Sequence, residues 1–287
     1  MTGPNVLTNT PPADALSVAP LPPPWALELA SVFPDAFALT SVSIPDINAL
    51  GKQDLERAVA DAYTRLLRGL DPNRPHPLRI WNYLPRIVDP DQDGLDRYMR
   101  FNVGRYQAFK AFFGDAADFG KVVPAASAVG HRGDELVIYA LASRTAGRPI
   151  ANPRQRPPYH YSKRFGPLPP CFARAMLIEH ERQKLLMIGG TASVRGENSV
   201  HVGDLVRQLE ETARNLSALL AAAFKTDGKL SHLSRLRVYY VTSRDLTDIQ
   251  ASVSQWFCAP QPAEWLQADL CRPDLLVEIE GLAGSWA

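Results

Sequence analysis

Residues 204–241 read DLVRQLEETARNLSALLAAAFKTDGKLSHLSRLRVYYV, a helix running through a turn into a strand. Asp204 is a helix N-cap residue type, whose carboxylate can accept from the free amides of the first turn. After it, Leu205, Leu209, Ala213, Leu216, Leu219, Leu220 and Ala223 recur at three- and four-residue steps. That spacing puts them on one helical face, which has to be covered. Asp227-Gly228 supplies the turn, and Leu236-Arg237-Val238-Tyr239-Tyr240-Val241 has the branched and aromatic content of a strand.

The same order occurs earlier in the chain. After Gly51, the residues Leu55, Val59, Ala62, Tyr63, Leu66, Leu67 and Leu70 form a helical face, residues 71–77 form a Pro-containing loop, and Leu78-Arg79-Ile80-Trp81-Asn82-Tyr83-Leu84 reads as a strand closed by Pro85. Apolar runs at 136–141 and 185–188 are available to complete two sheets. A repeated helix-then-strand unit predicts an α/β (α+β) fold of two similar halves, each a mixed sheet covered on one face by helices. The expected division is a flexible Pro-rich arm over 1–34, a first half over 35–150, an Arg/Tyr/Pro-rich segment over 151–180 and a second half over 181–287. The arm ends its richest part at Pro22-Pro23-Pro24, and such a composition buries too little apolar surface to offset its ordering entropy.

Composition excludes several classes. The 287 residues carry 31 basic and 30 acidic side chains, a formal charge of +1, whereas an electrostatic nucleic-acid binder shows a basic excess or stripe. An anionic ligand must then be held by a few local arginines. No run of eighteen apolar residues suggests a bilayer span, and the N-terminus lacks the basic and apolar regions of a secretory signal. Cys171, Cys258 and Cys271 are too scattered for a disulfide framework or zinc knuckle, and the six histidines show no metal-binding spacing. These features read as a cytoplasmic protein with reduced thiols and no metal, with neither nucleic acid nor membrane as partner.

Residues 148–170, RPIANPRQRPPYHYSKRFGPLPP, concentrate arginine, tyrosine and proline. They read as an interdomain linker or as a rigid, cation-bearing wall, and the density of arginine and aromatic residues favours the wall.

Four segments of the second half resemble the YjgF/RidA superfamily: Gly190-Thr191-Ala192-Ser193, the helix after Gly203-Asp204, RVYYVTSRDL at 237–246 and RPDLLVEIEGLA at 272–283. Two more motifs extend the likeness across most of 35–283. They are FNVGRYQAF at 101–109, and the stretch from Tyr161 through Arg164-Phe165-Gly166-Pro167 to Phe172-Ala173-Arg174-Ala175. With them the chain resembles the chorismatases. That resemblance implies a YjgF-like fold, no cofactor, and chorismate as substrate. The products implied are pyruvate with 3-hydroxybenzoate, with both 3- and 4-hydroxybenzoate, or with a dihydroxycyclohexadiene carboxylate. The hydroxybenzoate branch is the favoured expectation.

Chorismate is a dianion, and planar bidentate cations suit its two carboxylates. Arg105, Arg164 and Arg174 lie within the quoted motifs and are the candidate clamps, with Lys163 and Arg156 able to substitute for Arg164. Tyr161 can bond a carboxylate or pack in the wall. Cleaving the enol ether requires a proton on its methylene carbon, which a carboxylic acid can donate. The resemblance assigns that acid to Glu278. In Leu275-Leu276-Val277-Glu278-Ile279-Glu280 the acid sits among apolar neighbours, where desolvation raises its pKa, and period-2 alternation points Glu280 the same way. In the resemblance, Cys271 falls where the hydroxybenzoate-forming branch carries cysteine. Ala192 falls where cavity space is set, with alanine more typical of the hydrolysing branch. The ring cation left by cleavage can be captured by water or by the substrate's own hydroxyl.

Gly189-Gly190-Thr191 lacks the P-loop and Rossmann patterns. Its expected use is the approach of backbone amides and the Thr191 hydroxyl to a substrate carboxylate. Cys171 and Cys258 read as structural, as do His131, His160 and His201, although His201 could border the pocket. Two other function classes stay open, an imine deaminase of the YjgF/RidA type and a non-catalytic binding module. Assembly as a monomer or a homotrimer is left open as well.

Overall fold

Why the halves look alike in sequence is visible in a computed structural model that describes residues 20–180, 183–256 and 262–284. The first half contains α1 (Pro24–Val32), β1 (Phe37–Ile44), α2 (Lys52–Arg68), β2 (His76–Tyr83), α3 (Arg97–Phe113), the single turn α4 (Phe119–Val122), β3 (Ala125–Val129) and β4 (Leu136–Ser143). The second contains β5 (Arg148–Ile150), β6 (Ala175–His180), β7 (Gln183–Ala192), the short β8 (Val194–Arg195) and β9 (Asn198–Ser199), α5 (Leu205–Phe224), β10 (Leu233–Tyr240), α6 (Leu246–Ser254), β11 (Ala263–Gln267) and β12 (Val277–Ala283).

The first sheet runs β1-β4-β2-β3 and the second β11-β10-β12-β7-β6-β5. The four strands of the first correspond to β7-β12-β10-β11 of the second, which adds β6 and β5 at one edge. β2 pairs β3 in parallel and β4 antiparallel, as β10 pairs β11 in parallel and β12 antiparallel. The register shift between Pro77 and Arg79 in β2 recurs between Leu233 and Arg235 in β10. Carrying that register along the strands brings Val137, opposite Tyr83, to the position of Glu278, opposite Tyr239.

Both expected helices form. Asp204 accepts from the Arg207 amide at 3.0 Å as the cap of α5. Leu55, Val59, Ala62, Tyr63, Leu66 and Leu67 are all buried on α2, as are Leu209, Leu216, Leu219, Leu220 and Ala223 on α5. Each full leucine burial contributes about 2 kcal/mol. Helices α2 and α3 cover one face of the first sheet and α5 and α6 one face of the second, while a third apolar cluster joins the facing sides.

Two boundaries differ from expectation. Residues 1–19 lie outside the described set, but the rest of the expected arm is ordered structure. Helix α1 begins at Pro24, where proline fits the first helical turn, and buries Trp25 edge-on against Trp81 at 5.4 Å between ring centroids. Strand β5, placed by the sequence in the first half, joins the second sheet beside β6. Cys258 lies outside the described residues.

Candidate active site

Strand β12 lies between β10 and β7, so its side chains alternate between the α5 face and the other sheet. Val277 and Ile279 take the α5 side; Glu278 and Glu280 point toward the first sheet. The two acids then meet different surroundings. Glu280 is fully buried and bonded by four side chains. Arg79 Nη2 donates to it at 2.6 Å, Trp81 Nε1 at 3.0 Å, Tyr239 OH at 3.3 Å, and the Ser127 hydroxyl completes the set. The Glu278 carboxyl makes no hydrogen bond to any described residue and faces a cavity of about 570 Å³.

The cavity opens along β3, past Ala126, Ser127 and Ala128, and reaches from β12 to the first turns of α3. Burial, with the Glu280 carboxylate as second cause, pushes the Glu278 carboxyl up to about 8, against the pull of Arg79, Arg174 and Arg272. Glu278 is therefore a neutral acid at pH 7, able to donate a proton.

The glycine pair opposite makes room for it. Between β12 and β7 the register shifts, with Ile279 opposite Thr191 and Gly281 opposite Ile188, so Gly189 and Gly190 share one partner, Glu280. Both face the first sheet. A Cβ on Gly189 would meet the Ala126 carbonyl oxygen at 2.7 Å, and one on Gly190 would occupy the space of the Glu278 carboxyl. Such a bulge reverses the alternation of the residues after it. Ala192 thereby lines the cavity. The assignment of Thr191 to the substrate is corrected for the same reason: its side chain is turned away, and its hydroxyl donates to the Gly189 carbonyl at 3.0 Å. Uninterrupted alternation from Leu185 would have placed Thr191 inward.

Four guanidiniums line the space: Arg105, Arg164, Arg174 and Arg272. None has a carboxylate within ion-pair distance among the described residues, although the molecule pairs many of its other arginines. Arg105 is 1% exposed and bonded through Nη2 to Asn102 Oδ1 at 2.6 Å, and its Nε is buried without a partner. Arg174 Nη2 bonds the Tyr161 hydroxyl, and its Nε is likewise unpartnered. Arg164, an exposed residue, bonds Asn198 Oδ1 and lies 4.7 Å from the Phe165 ring centroid. Unpaired buried donors of this kind are costly in the free protein, and a planar anion is a partner that could satisfy them.

Tyr161 lines the cavity, and its hydroxyl, weighed as a partner for a carboxylate, accepts from Arg174 Nη2. Of the 148–170 segment, Tyr161, Arg164, Phe165 and Pro170 line the cavity, and this part is tied down where Glu197 accepts from Ser162 N at 3.0 Å and Ser162 Oγ at 2.7 Å. Arg156 pairs with Glu197 at 3.3 Å and is not in the lining, so it does not replace Arg164. Cys271 lines the cavity, its thiol pushed up to about 12 by burial and by Glu278, hence neutral. Cys171 is buried in the first core, and His201 lies outside the lining with its carbonyl accepting from Asp204 N at 3.0 Å.

Arg272 was missed in the sequence. It stacks on Phe165 at 4.2 Å and Tyr161 at 5.4 Å, with Nη1 donating to the Glu197 carbonyl at 2.9 Å. Its place beside Cys271, at the head of RPDLLVEIEGLA, was the available signal. Arg79 was also missed, although a charge inside the apolar run 78–84 carries the message used for Glu278: a buried ion needs a partner.

Among the described residues no cluster of three metal-ligating side chains occurs, and no helix is long and apolar enough to cross a membrane.

The profile of the FkbO/Hyg5-like chorismatase N-terminal family matches residues 30–142. A 3-hydroxybenzoate synthase of Streptomyces hygroscopicus is 34% identical over 215 residues, covering 71% of this chain and 62% of that protein. A chorismatase of the same organism is 32% identical over 234 residues, covering 78% and 67%. A chorismatase crystal structure aligns with a TM-score of 0.76 and 31% identity over 87% of this chain and 75% of that one. The chain thus spans a little under two thirds of the length of the first of these relatives.

Proposed function

The chain belongs to the chorismatase family, and from that premise we propose that it converts chorismate to pyruvate and 3-hydroxybenzoate. The observation that carries the reading is a neutral glutamic acid facing a cavity whose four guanidiniums have no carboxylate partner among the described residues. A dianion supplies what those cations lack, and an enol ether is a substrate for that acid.

In this reading Arg105, Arg164, Arg174 and Arg272 hold the two carboxylates. Glu278 protonates the terminal methylene carbon of the enolpyruvyl arm, giving an oxocarbenium ion beside the new carboxylate. The ring C–O bond then breaks with its electron pair going to oxygen, which releases pyruvate and leaves a ring cation. Capture by the neighbouring ring hydroxyl forms an arene oxide, which opens to 3-hydroxybenzoate after a proton is lost. Capture by water gives the dihydroxy diene. Cys271 and Ala192 both line the cavity and set the space beside that cation. Cys271 favours the internal path as a neutral thiol that crowds out water.

Incubation of the purified protein with chorismate, followed by pyruvate assay and mass spectrometry of the second product, tests the reading. Pyruvate with hydroxybenzoate is expected. Pyruvate with the diene would move the chain to the hydrolysing branch, and no pyruvate would end the proposal.

A further inference from the structure

The chemistry above gives Asp96 no task, although it lines the cavity. It is the N-cap of α3, and its Oδ1 accepts from the Met99 amide at 2.7 Å. The Tyr98 amide also acts on it, so its protein contacts are amides of the helix's own first turn. No side chain among the described residues bonds it, and none of the four guanidiniums pairs with it. Burial holds its carboxyl above the usual range.

Capping alone does not explain an acid here. A cap needs one side-chain oxygen, which Asn or Ser supplies as well, without bringing negative charge into a cavity arranged for an anion. Both acids line the cavity together with Cys271, Glu278 from β12 and Asp96 from the start of α3. An acceptor that lacks a side-chain donor is satisfied when a ligand brings one. A doubly ionised chorismate has only acceptors at its carboxylates and ether, and its sole donor is the ring hydroxyl next to the ether carbon.

We propose that Asp96 receives the ring hydroxyl of the substrate, and so fixes the direction in which the ring lies between Glu278 and the arginines. The inference rests on the chorismate reading of the cavity. It makes Asp96 a specificity determinant for a hydroxylated ring over a plain one.

Two stable aromatic dianions test it without turnover: 3-(carboxymethoxy)benzoate and its 4-hydroxy derivative, titrated calorimetrically into the full chain. The wild-type protein should bind the hydroxylated probe about tenfold tighter or more, the size of a hydrogen bond to a charged acceptor. Asp96→Asn and Asp96→Ser keep the cap and should keep the melting temperature while reducing that preference to below about threefold. Asp96→Ala loses the cap and should lower the melting temperature, which separates the structural role from the recognition role. Equal binding of the two probes by the wild type, or an undiminished preference in both cap-retaining variants, would overturn the proposal for Asp96 and leave the cavity reading standing. If neither probe binds the wild type, the cavity is not built for this dianion and both fail.

Discussion

Gly190 and Glu278 share one small volume: a Cβ on the glycine would stand inside the carboxyl group of the acid. The register shift between β12 and β7 brings them together, and nothing smaller than glycine exists to relieve the contact. Gly190→Ala should leave the fold intact, because the end of a glutamate side chain can swing aside. Displacing the acid by about 1 Å costs on the order of a hundredfold in turnover. Pyruvate release with chorismate, alongside a thermal melt, checks both halves of this expectation.

If Glu278 is the proton donor, as proposed, it sets a pH dependence. With its carboxyl at about 8 it is protonated through neutral pH, and kcat/KM should fall as pH rises through about 8. Stability follows the same group. In the unfolded chain it ionises near the usual 4.5, so between about 4.5 and 8 the folded state binds more protons and stability declines with rising pH. Glu278→Gln should abolish that decline and melt higher than the wild type by a margin that grows across the window. Its turnover should fall by about 10² to 10⁴. Melting curves at several pH values, with pyruvate assays on the same samples, supply the readout.

In the proposed reading Arg105 acts as a fork, not as a point charge. Arg105→Lys keeps the cation but cannot present two parallel donors, so KM for chorismate should rise about tenfold or more with a smaller change in kcat. Steady-state kinetics with the purified variant separates the two.

Cys271 is neutral at pH 7 and should resist alkylation by iodoacetamide over hours. Cys271→Ala should retain pyruvate release within about tenfold, while the product shifts from hydroxybenzoate toward the diene as water enters the vacated space. The product ratio by mass spectrometry is the measurement, and an unchanged ratio would remove Cys271 from the partitioning step.

The Arg79–Glu280 pair is different in kind, since both side chains are wholly buried, 2.6 Å apart. Removing one partner leaves the other charge without compensation, so Glu280→Gln should destabilise by about 3–5 kcal/mol. Urea unfolding monitored by tryptophan fluorescence would register it, because Trp81 bonds the same carboxylate.

Much of this was legible in the chain. The faces of α2 and α5 follow from leucine spacing, and the repeat of helix and strand announces two halves. Glu278, Cys271, Ala192, Arg105, Arg164, Arg174 and Tyr161 all reach one cavity. Thr191 did not, because a bulge is an extra residue in one strand judged against its partner, and periodicity within a single strand does not contain the partner. Arg272 was passed over for a related reason: a guanidinium on a loop carries no periodic signal, and its stacking on Phe165 links residues about a hundred positions apart. Arg79 and Glu280 are separated by about two hundred positions, and only the packing of one sheet on the other joins them.

The two halves have the same strand plan, yet Val137 occupies the place that Glu278 holds in the second. An assembly of identical subunits must accept every substitution on both sides of its clefts at once. Here one sheet could be shaped into an acid-bearing wall while its twin was shaped into a support, each free of the other's constraints. Carrying both halves in one polypeptide frees the cleft from symmetry, so its two walls can differ as Val137 and Glu278 do.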